Sequence, residues 1–327
     1  MSIHWGIIGT GFIAGKFAVD YRFVERGKIL AVASRSGERA EAFASRYGIP
    51  RPYESYEKLL MDPDIDVVYI ATPHSEHNRN TLSALHHGKA VLCEKPAAVN
   101  AGQLKEMIDQ AGQRNLLFME AMWTRFLPAI QQAQRWIDQG LIGQVRLIQA
   151  DFGDPSPTRP QHRLYNLHLA GGALLDIGIY PLVFANTMAH STCRDIHPEA
   201  TLGETGVDET TAMILRYENG ALAQLTCSLK HPTSHKGLIY GNKGYIEIPD
   251  FWRARKAIVR NDHGSLEYTD ERESTGFNYE IEEMNRLLVD NKKQSDFMPH
   301  RMSLNNMEML DEIRRQIGLV YPFEKKI

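Results

Sequence analysis

The sequence predicts two domains of different fold class: an α/β domain with a parallel sheet, then an α+β domain with a mainly antiparallel, open sheet. Two observations point to this division. Up to residue 123, apolar strand-like runs alternate with amphipathic helical stretches. After residue 207, short turns join the strand-like runs instead. We therefore place the domains at residues 1–123 and 124–327, since 327 residues exceed what one hydrophobic core usually serves.

In the first domain, the predicted strands and helices alternate along the chain. Its strands are expected at residues 3–8, 29–33, 66–71, 90–93 and 116–119. Its helices are expected after the first strand up to about residue 27, then at residues 38–47, 77–87 and 103–113. Strands that alternate with helices form βαβ units, and the sheet of such units is parallel.

The second domain combines a few helices with hairpins. A helix at residues 128–139 precedes a strand at 145–152, a proline-rich loop at 154–161 and a helix at 172–188. Between residues 207 and 269, turn sequences occur at 218–220, 241–244 and 262–264. Turns of this kind join antiparallel neighbours, so we expect a largely antiparallel sheet. Helices near 279–291 and 303–317 close the chain.

Composition narrows the function classes. The 37 basic and 40 acidic residues give a net charge of −3 without any basic run, so neither nucleic acid nor a membrane is an expected partner. Three distant cysteines form no CxxC, and no histidine has a convincing metal-ligand spacing, so we expect no disulfide framework and no metal. The chain starts on a strand without a signal-peptide pattern, and no apolar run approaches the roughly 20 residues of a membrane span. We expect a cytoplasmic protein.

The first strand ends in a glycine-rich turn with the pattern GxGxxA. Its residues are Gly9, Thr10, Gly11, Phe12, Ile13 and Ala14. Gly9 allows a tight turn, Gly11 lets the backbone approach a pyrophosphate, and Ala14 allows the helix to pack closely on the strand. The N-terminus of the following helix attracts the phosphates. Because the turn lies between a strand and a helix of a βαβ unit, it predicts a Rossmann dinucleotide site rather than an ordinary glycine turn.

The end of the second strand indicates which nucleotide is bound. NAD enzymes usually place an acid there, on the ribose 2′-hydroxyl. This chain has Ser34, Arg35 and Ser36 instead. An arginine fork flanked by hydroxyls binds a 2′-phosphate, which an acid would repel, so we expect NADP rather than NAD. In the alternative interpretation, Arg35 is a solvated charge and Glu38 holds the ribose.

A lysine follows the strand at residues 90–93. Glu94, Lys95 and Pro96 lie at its carboxyl end, where open α/β sheets bind ligands. The proline holds the backbone of the lysine extended. Lys95 can hydrogen-bond a substrate oxygen there, although a lysine taken alone is more often an ordinary surface residue.

Several motifs resemble the Gfo/Idh/MocA oxidoreductases, over essentially the whole chain. Residues 9–14, 71–77 and 94–96 carry the resemblance to the family. Residues 119–126, 171–180 and 310–318 resemble its branch with dimeric dihydrodiol dehydrogenase and NADP-dependent D-xylose dehydrogenase. The resemblance implies an enzyme that acts on CH–OH groups of sugars, polyols or trans-dihydrodiols. An exposed sheet face in the second domain would suit self-association, so we expect a homodimer or a higher homo-oligomer.

The resemblance also implies a catalytic group of Lys95, Asp176 and Tyr180. Asp176 and Tyr180 are four positions apart and should share one helix face. A tyrosine hydroxyl ordinarily has a pKa near 10, and a lysine cation beside it would favour the phenolate. Tyr180 would then exchange a proton with the substrate while a hydride moves to or from the nicotinamide, in a cleft between the domains. The two roles are open to exchange, because a desolvated lysine can itself be the base.

Further contacts follow from the same resemblance. Besides the glycine turn, the expected cofactor contacts are Ser34, Arg35, Thr72, Pro73, His77, Glu94 and Lys95. The expected substrate contacts are Trp123, Arg125 and Phe152, where the two aromatic residues would equally suit a core. Contacts with a polyol are one interpretation of His162, Arg163 and Tyr165, on the loop ahead of the catalytic helix, and solvated loop residues are the preferred one.

We therefore expect hydride transfer between NADP and a hydroxyl or carbonyl group. One alternative is an aldose or anhydro-ketose reductase that works in the opposite direction. Another is a non-catalytic NADP-binding regulator. A regulator needs a cofactor site but no proton-transfer pair, so Lys95 together with Tyr180 favours an enzyme.

Overall fold

The chain divides where the strand–helix alternation ends. The computed structural model describes residues 2–157 and 159–324. One unit comprises Met1–Trp123 and Glu273–Leu304, and the other comprises Thr124–Arg272 and Asn305–Ile327. The first unit therefore takes in residues 273–304, which the sequence prediction placed in the second domain.

Six parallel strands form the sheet of the first unit, in the order β3-β2-β1-β4-β5-β6. They are β1 (His4–Ile8), β2 (Lys28–Ala33), β3 (Arg51–Tyr53), β4 (Val67–Ile70), β5 (Ala90–Glu94) and β6 (Phe118–Ala121). The strands β4 and β5 are buried along their whole length, as expected where helices cover both faces of a parallel sheet. The predicted α/β class is confirmed.

Five helices connect these strands, and polar caps mark where several of them begin. They are α1 (Phe12–Asp20), α2 (Gly37–Tyr47), α3 (Tyr56–Leu60), α4 (His77–His86) and α5 (Ala101–Gln113). The side chains of Ser36, Ser55 and Asn100 accept hydrogen bonds from the first turns of α2, α3 and α5. The sequence prediction missed β3 and α3, because three and five residues are too few to show a hydrophobic period.

The second unit holds an eight-stranded sheet in the order β14-β13-β12-β11-β7-β10-β9-β8. Its elements before the hairpins are α6 (Pro128–Asp138), β7 (Val145–Gly153), a π-helical stretch at Leu174–Gly178 and α7 (Ile179–Ala189). The remaining strands are β8 (Cys193–Leu202), β9 (Asp208–Tyr217), β10 (Leu222–Ser228), β11 (Gly237–Gly241), β12 (Gly244–Ile248), β13 (Lys256–Asn261) and β14 (Gly264–Thr269).

The pairing of this sheet is antiparallel except between β7 and β10. The predicted antiparallel α+β domain is confirmed. The sequence prediction missed β8, an edge strand that is exposed or half-buried throughout and contains Pro198. Such a strand shows no alternation of apolar and polar residues, and its proline is tolerated because it lies at the edge.

Two helices close the chain, α8 (Phe277–Val289) and α9 (His300–Ile317). The N-terminus of α8 is bound by the carboxylate of Asp20, at the end of α1. That carboxylate accepts hydrogen bonds from the N–H groups of Thr275, Gly276 and Phe277 at 3.0, 2.8 and 2.9 Å. The Phe277 ring stacks on Trp123 at 5.0 Å between centroids. These contacts explain why residues 273–304 belong to the first unit.

One helical run in the second unit is long and apolar enough to cross a membrane, by length and composition alone. It comprises Leu167–Ala189, 23 residues, and 83% of its most apolar window is buried inside the protein. The sequence analysis predicted that no apolar run approaches this length, and that prediction was wrong. Polar residues such as Asp176 divide the run into shorter apolar stretches, although its average composition is apolar. Burial of this extent is typical of a core helix.

Candidate functional site

The predicted cofactor residues of the first unit lie at one edge of its sheet. Gly9 follows β1, Ser34 follows β2, Thr72 follows β4, and Lys95 follows β5. These four strands are parallel neighbours, so their carboxyl ends meet at the same edge. The order of the strands reverses between β1 and β4, which is where open α/β sheets bind nucleotides.

The turn after β1 requires glycine at its first position. Gly9 has a φ of +111°, in the region that side chains rarely adopt. A Cβ at this residue would lie 2.5 Å from the carbonyl oxygen of Ala71. The N–H of Gly9 donates to the carbonyl of Ala33 at 3.0 Å. Gly9 therefore follows β1, binds the last residue of β2, and lies close to the backbone that follows β4.

The N-terminus of α1 fits a nucleotide phosphate. No side chain caps this helix, and its first turn contains no acid, so its leading N–H groups are available to an anion. Gly11 is extended, and a Cβ there would meet no protein atom within 4 Å. The protein itself thus does not need glycine at this position, whereas a closely approaching pyrophosphate would. Thr10 and Ile13 are half-buried, and Phe12 is 81% exposed.

The residues after β2 shape the second half of the predicted cofactor site. The Ser34 hydroxyl accepts from the N–H of Ser36 at 3.3 Å, and the Ser36 hydroxyl accepts from the N–H of Arg39 at 3.4 Å. Ser36 thus caps α2. Arg35 is exposed, and its charge opposes the rise that burial causes in the pKa of Tyr56. Glu38, the alternative ribose partner, is also exposed.

His77 joins the loops that follow β4 and β5. Its ring is fully buried, and its two nitrogens lie 2.8 Å from the carbonyl oxygens of Thr72 and Pro96. The Thr72 hydroxyl accepts from the Asn80 amide at 3.1 Å. The prediction made His77 a cofactor contact. In the structure this buried ring joins the two loops, and its contact with the cofactor stays a prediction. Thr72 and Pro73 are half-buried.

Two buried carboxyl groups hold the turn that contains Lys95. Glu94 accepts hydrogen bonds from the Tyr69 hydroxyl and, at 3.2 Å, from the N–H of Lys95. Glu120 accepts from the N–H of Ala97 at 2.9 Å. Burial raises the pKa of Glu120, and the Ala97 N–H and the charge of Lys95 partly oppose that rise. Glu94 therefore holds the backbone of Lys95, and its contact with the cofactor stays a prediction.

In the second unit, Asp176 and Tyr180 lie on one continuous helical segment. Asp176 belongs to the π-helical stretch Leu174–Gly178, and Tyr180 to the first turn of α7. Pro181 follows and has no N–H to donate to the turn before it, which accords with a wider turn at this place. Residues four apart are neighbours along a helix face, as the spacing predicts.

Arg163 binds Asp176 directly. Its guanidinium nitrogens lie 2.8 and 3.5 Å from the two carboxylate oxygens. The Arg163 side chain is half exposed, whereas that of Asp176 is largely buried. Arg163 is exposed, as interpreted from the sequence, but it also makes this ion pair. The interpretation as a solvated loop residue was wrong for Tyr165, which is fully buried and donates to the carbonyl of Ser156 at 2.8 Å.

Aromatic side chains surround Tyr180. Its ring centroid lies 5.4 Å from that of Phe152 and 6.2 Å from that of Trp252. Phe152 stacks on Trp252 at 4.7 Å, and the His235 ring meets Phe152 edge-on at 5.0 Å. Phe152 was predicted as a substrate contact, and the structure brings it to Tyr180. Trp252 and His235 were missed, since they lie far along the chain from residue 180 and belong to no local motif.

The other two predicted substrate residues make contacts within their own units. Trp123 belongs to the first unit, where it stacks on Phe277. Arg125 is buried, and its guanidinium donates to Gln134 of α6 at 3.2 Å and to Thr187 of α7 at 3.0 Å. Burial lowers the pKa of Arg125 to about 10. The guanidinium joins two helices of its own unit, and the role of Arg125 as a substrate contact stays a prediction.

Metal-binding side chains do not cluster in the described part of the chain. Among residues 2–157 and 159–324, no three His, Cys, Asp or Glu side chains come together in a way that could hold a metal ion. The three cysteines are unpaired by disulfides in the same residues.

Two family models match successive parts of the chain. Residues 3–122 match the oxidoreductase family with an NAD-binding Rossmann fold, Gfo/Idh/MocA. Residues 130–247 match the C-terminal domain of the same family. The two matches fall on the two sheets described above.

The chain is also similar to named proteins. It is 38% identical to a trans-1,2-dihydrobenzene-1,2-diol dehydrogenase of Danio rerio, over 98% of each chain. A solved 3-ketoreductase of Actinomadura kijaniata, in complex with NADP and TDP-benzene, is 26% identical, with a TM-score of 0.85 over 96% of this chain and 98% of that one. A levoglucosan dehydrogenase in complex with NADH and levoglucosan shares the fold, with a TM-score of 0.89 at 20% identity over 97% of each chain. This chain belongs to the Gfo/Idh/MocA family of oxidoreductases, with its NAD(P)-binding Rossmann fold.

Proposed function

We propose that this chain is an NADP-dependent dehydrogenase or reductase that acts on a hydroxyl or carbonyl group of a sugar, a polyol or a trans-dihydrodiol. The observation that carries the proposal is the environment of Tyr180. Its ring is buried against Phe152 and Trp252, on the helical segment that also carries the ion-paired Asp176. The names of the dihydrodiol dehydrogenase and 3-ketoreductase relatives support the substrate class.

In the proposed reaction, the chain supplies binding and proton transfer. The nicotinamide, when bound, accepts a hydride from a substrate carbon or donates one to it. The turn at Gly9–Gly11 and the N-terminus of α1 receive the pyrophosphate. Tyr180 takes the hydroxyl proton during oxidation and returns it to the carbonyl oxygen during reduction. The Lys95 ammonium hydrogen-bonds the same oxygen, so the proposal requires Lys95 and Tyr180 to reach one substrate atom.

Turnover with a panel of compounds tests this proposal. We expect absorbance changes of NADPH with at least one sugar, polyol, dihydrodiol or dicarbonyl compound. Tyr180→Phe keeps the ring and removes the proton, so kcat should fall by about 10²- to 10⁴-fold with little change in NADPH affinity. Lys95→Met should also lower kcat, and the double variant should lose little more than the worse single one. NADPH binding without turnover of any compound would favour a regulator.

The choice of NADP is a separate part of the proposal. Arg35 is exposed at the end of β2, and Ser34 and Ser36 flank it. We expect NADPH to bind at least tenfold more tightly than NADH, about 1.4 kcal/mol. Arg35→Ala should weaken NADPH far more than NADH, as titration by fluorescence would show. An NADH preference that Glu38→Ala abolishes would support the alternative instead.

The proposed enzyme is a cytoplasmic homo-oligomer. Large apolar side chains are exposed on the second sheet at Ile214, Leu222 and Leu266, on the strands β9, β10 and β14. Exposed apolar groups on an open sheet favour self-association. Sedimentation velocity should give a dimer or larger species, and a monomer at micromolar concentration would contradict this part.

A further inference from the structure

A buried carboxylate lies under the start of the helical segment that carries Asp176 and Tyr180. It belongs to Asp208, the first residue of β9, which has no exposed surface. Its Oδ2 accepts hydrogen bonds from the N–H of Leu174 at 2.7 Å and from the Thr211 hydroxyl at 2.8 Å. Leu174 opens the π-helical stretch, and Ala173 before it provides no side-chain cap. A residue of a distant strand thus serves as the cap.

The backbone around this cap is fitted closely to it. Gly172 has a φ of +128°, and a Cβ there would lie 2.2 Å from Oδ1 of Asp208. The carbonyl of Gly171 accepts from the Tyr321 hydroxyl at 2.9 Å. Before the helical segment, Gly172 therefore packs against Asp208 of β9, and Gly171 is hydrogen-bonded to Tyr321 near the C-terminus.

We propose that Asp208 is a positioning residue for the reaction: its carboxylate fixes the first turn of the segment that carries Asp176 and Tyr180, and its protonation loosens that turn. The proposal rests on the function proposed above. Asp208 itself does not take part in proton transfer, since its bonds are to Leu174 and Thr211.

Asp208 ionises near neutral pH. Burial raises the pKa of Asp208 to about 7, against the hydrogen bonds from Thr211 and Leu174 and the charge of Arg314. The other titratable groups that interact with it are Tyr321 and Cys227, and burial raises the pKa of each well above its ordinary value. Those two groups stay neutral around pH 7, and Arg314 stays charged in its ion pairs with Asp311 and Glu324.

Protonation changes the strength of the cap. An ionised acceptor makes a hydrogen bond roughly twice as strong as a neutral one. Above pH 7 the carboxylate therefore holds the Leu174 N–H and the Thr211 hydroxyl more tightly than the acid does below it. Because the folded pKa lies above the unfolded one, the contribution of Asp208 to stability is present at low pH and is lost as pH rises toward 7. Loss of the Leu174 and Thr211 hydrogen bonds while Asp208 stays buried would raise its pKa further, so protonation favours this local opening. Complete unfolding exposes Asp208 to water and is therefore opposed by protonation.

Two conservative variants test the proposal. Asp208→Asn keeps an oxygen that can accept both bonds but resembles the protonated acid at every pH. Thr211→Val removes one bond that lowers the pKa of Asp208, so it should move the transition to higher pH. The rate of hydrogen exchange of the amides at residues 174–180, corrected for intrinsic rates, measures how often this helical segment opens. The measurement needs no substrate.

We expect exchange in the wild-type chain to be about fivefold faster at pH 6 than at pH 8, with Asp208→Asn equally fast at both. The kcat of the wild type should show an inflection near pH 7 that Asp208→Asn lacks and Thr211→Val shifts upward. Equal exchange in wild type and Asp208→Asn at pH 8, or an inflection that Thr211→Val leaves unmoved, would overturn the proposal. The wild type and Asp208→Asn could differ in exchange although the wild type turns over no compound. That result would refute the proposed function and support Asp208 as the cap of the helical segment.

Discussion

The turn after β1 and the helical segment of the second unit hold their functional groups by different means. At the turn, the backbone conformation of Gly9 and an uncapped helix N-terminus create the site. In the helical segment, side chains from distant positions do so: Asp208 caps Leu174, and Arg163 binds Asp176. A site made from backbone geometry is encoded locally, whereas a site made from long-range side-chain contacts is encoded in several separate places.

The largest combined effect, on stability and on NADPH affinity together, comes from a matched pair of glycine substitutions that tests the backbone half of this comparison. Gly9→Ala would place its Cβ against the Ala71 carbonyl at a φ of +111°, so we expect a loss of at least about 2 kcal/mol of unfolding free energy. NADPH affinity should fall more than tenfold as well. Denaturant unfolding and fluorescence titration measure the two effects.

Gly11→Ala is the control for that experiment. Gly11 is extended, and its Cβ would meet no protein atom within 4 Å, so stability should change by no more than about 0.5 kcal/mol. NADPH affinity should still fall about tenfold or more, because the methyl group occupies the approach of the pyrophosphate. Unchanged affinity in Gly11→Ala would show that the phosphates lie elsewhere.

A second prediction concerns a place where the first unit also depends on a long-range side chain. The Asp20 carboxylate binds three backbone N–H groups at residues 275–277 and the Thr275 hydroxyl at 2.7 Å. Asp20→Ala leaves those N–H groups without their acceptor, so we expect a loss of about 3 kcal/mol in unfolding free energy. Thr275→Val removes one bond only and should cost about 1 kcal/mol. Equal losses in the two variants would show that water replaces the carboxylate.

This comparison also explains what the sequence could predict. The sheets, the glycine turn, Lys95, and the pair Asp176 and Tyr180 follow from local patterns or motifs. The return of residues 273–304 to the first unit involves long-range contacts such as that of Asp20, about two hundred and fifty positions away in the chain. The sequence does not distinguish a solvated arginine from one that, like Arg125, is buried between helices. Trp252 reaches Tyr180, and His235 reaches Phe152, only through the folding of the second unit, which no spacing in the sequence specifies.

The smallest expected effect tests the side-chain half of the comparison. Arg163 binds Asp176 through a guanidinium that is half exposed, and ion pairs of that exposure contribute about 1 kcal/mol or less. If Arg163 only orients Asp176, Arg163→Ala should lower kcat about three- to tenfold, leave NADPH affinity unchanged, and barely alter stability. Arg163→Lys keeps the charge but not the two-pronged geometry, so it should recover part of the rate. The rates are measured at saturating NADPH with the best compound of the panel. A loss in Arg163→Ala as large as that in Tyr180→Phe would mean that the guanidinium itself binds the reacting group, and the role of Asp176 would then be to hold Arg163 in place.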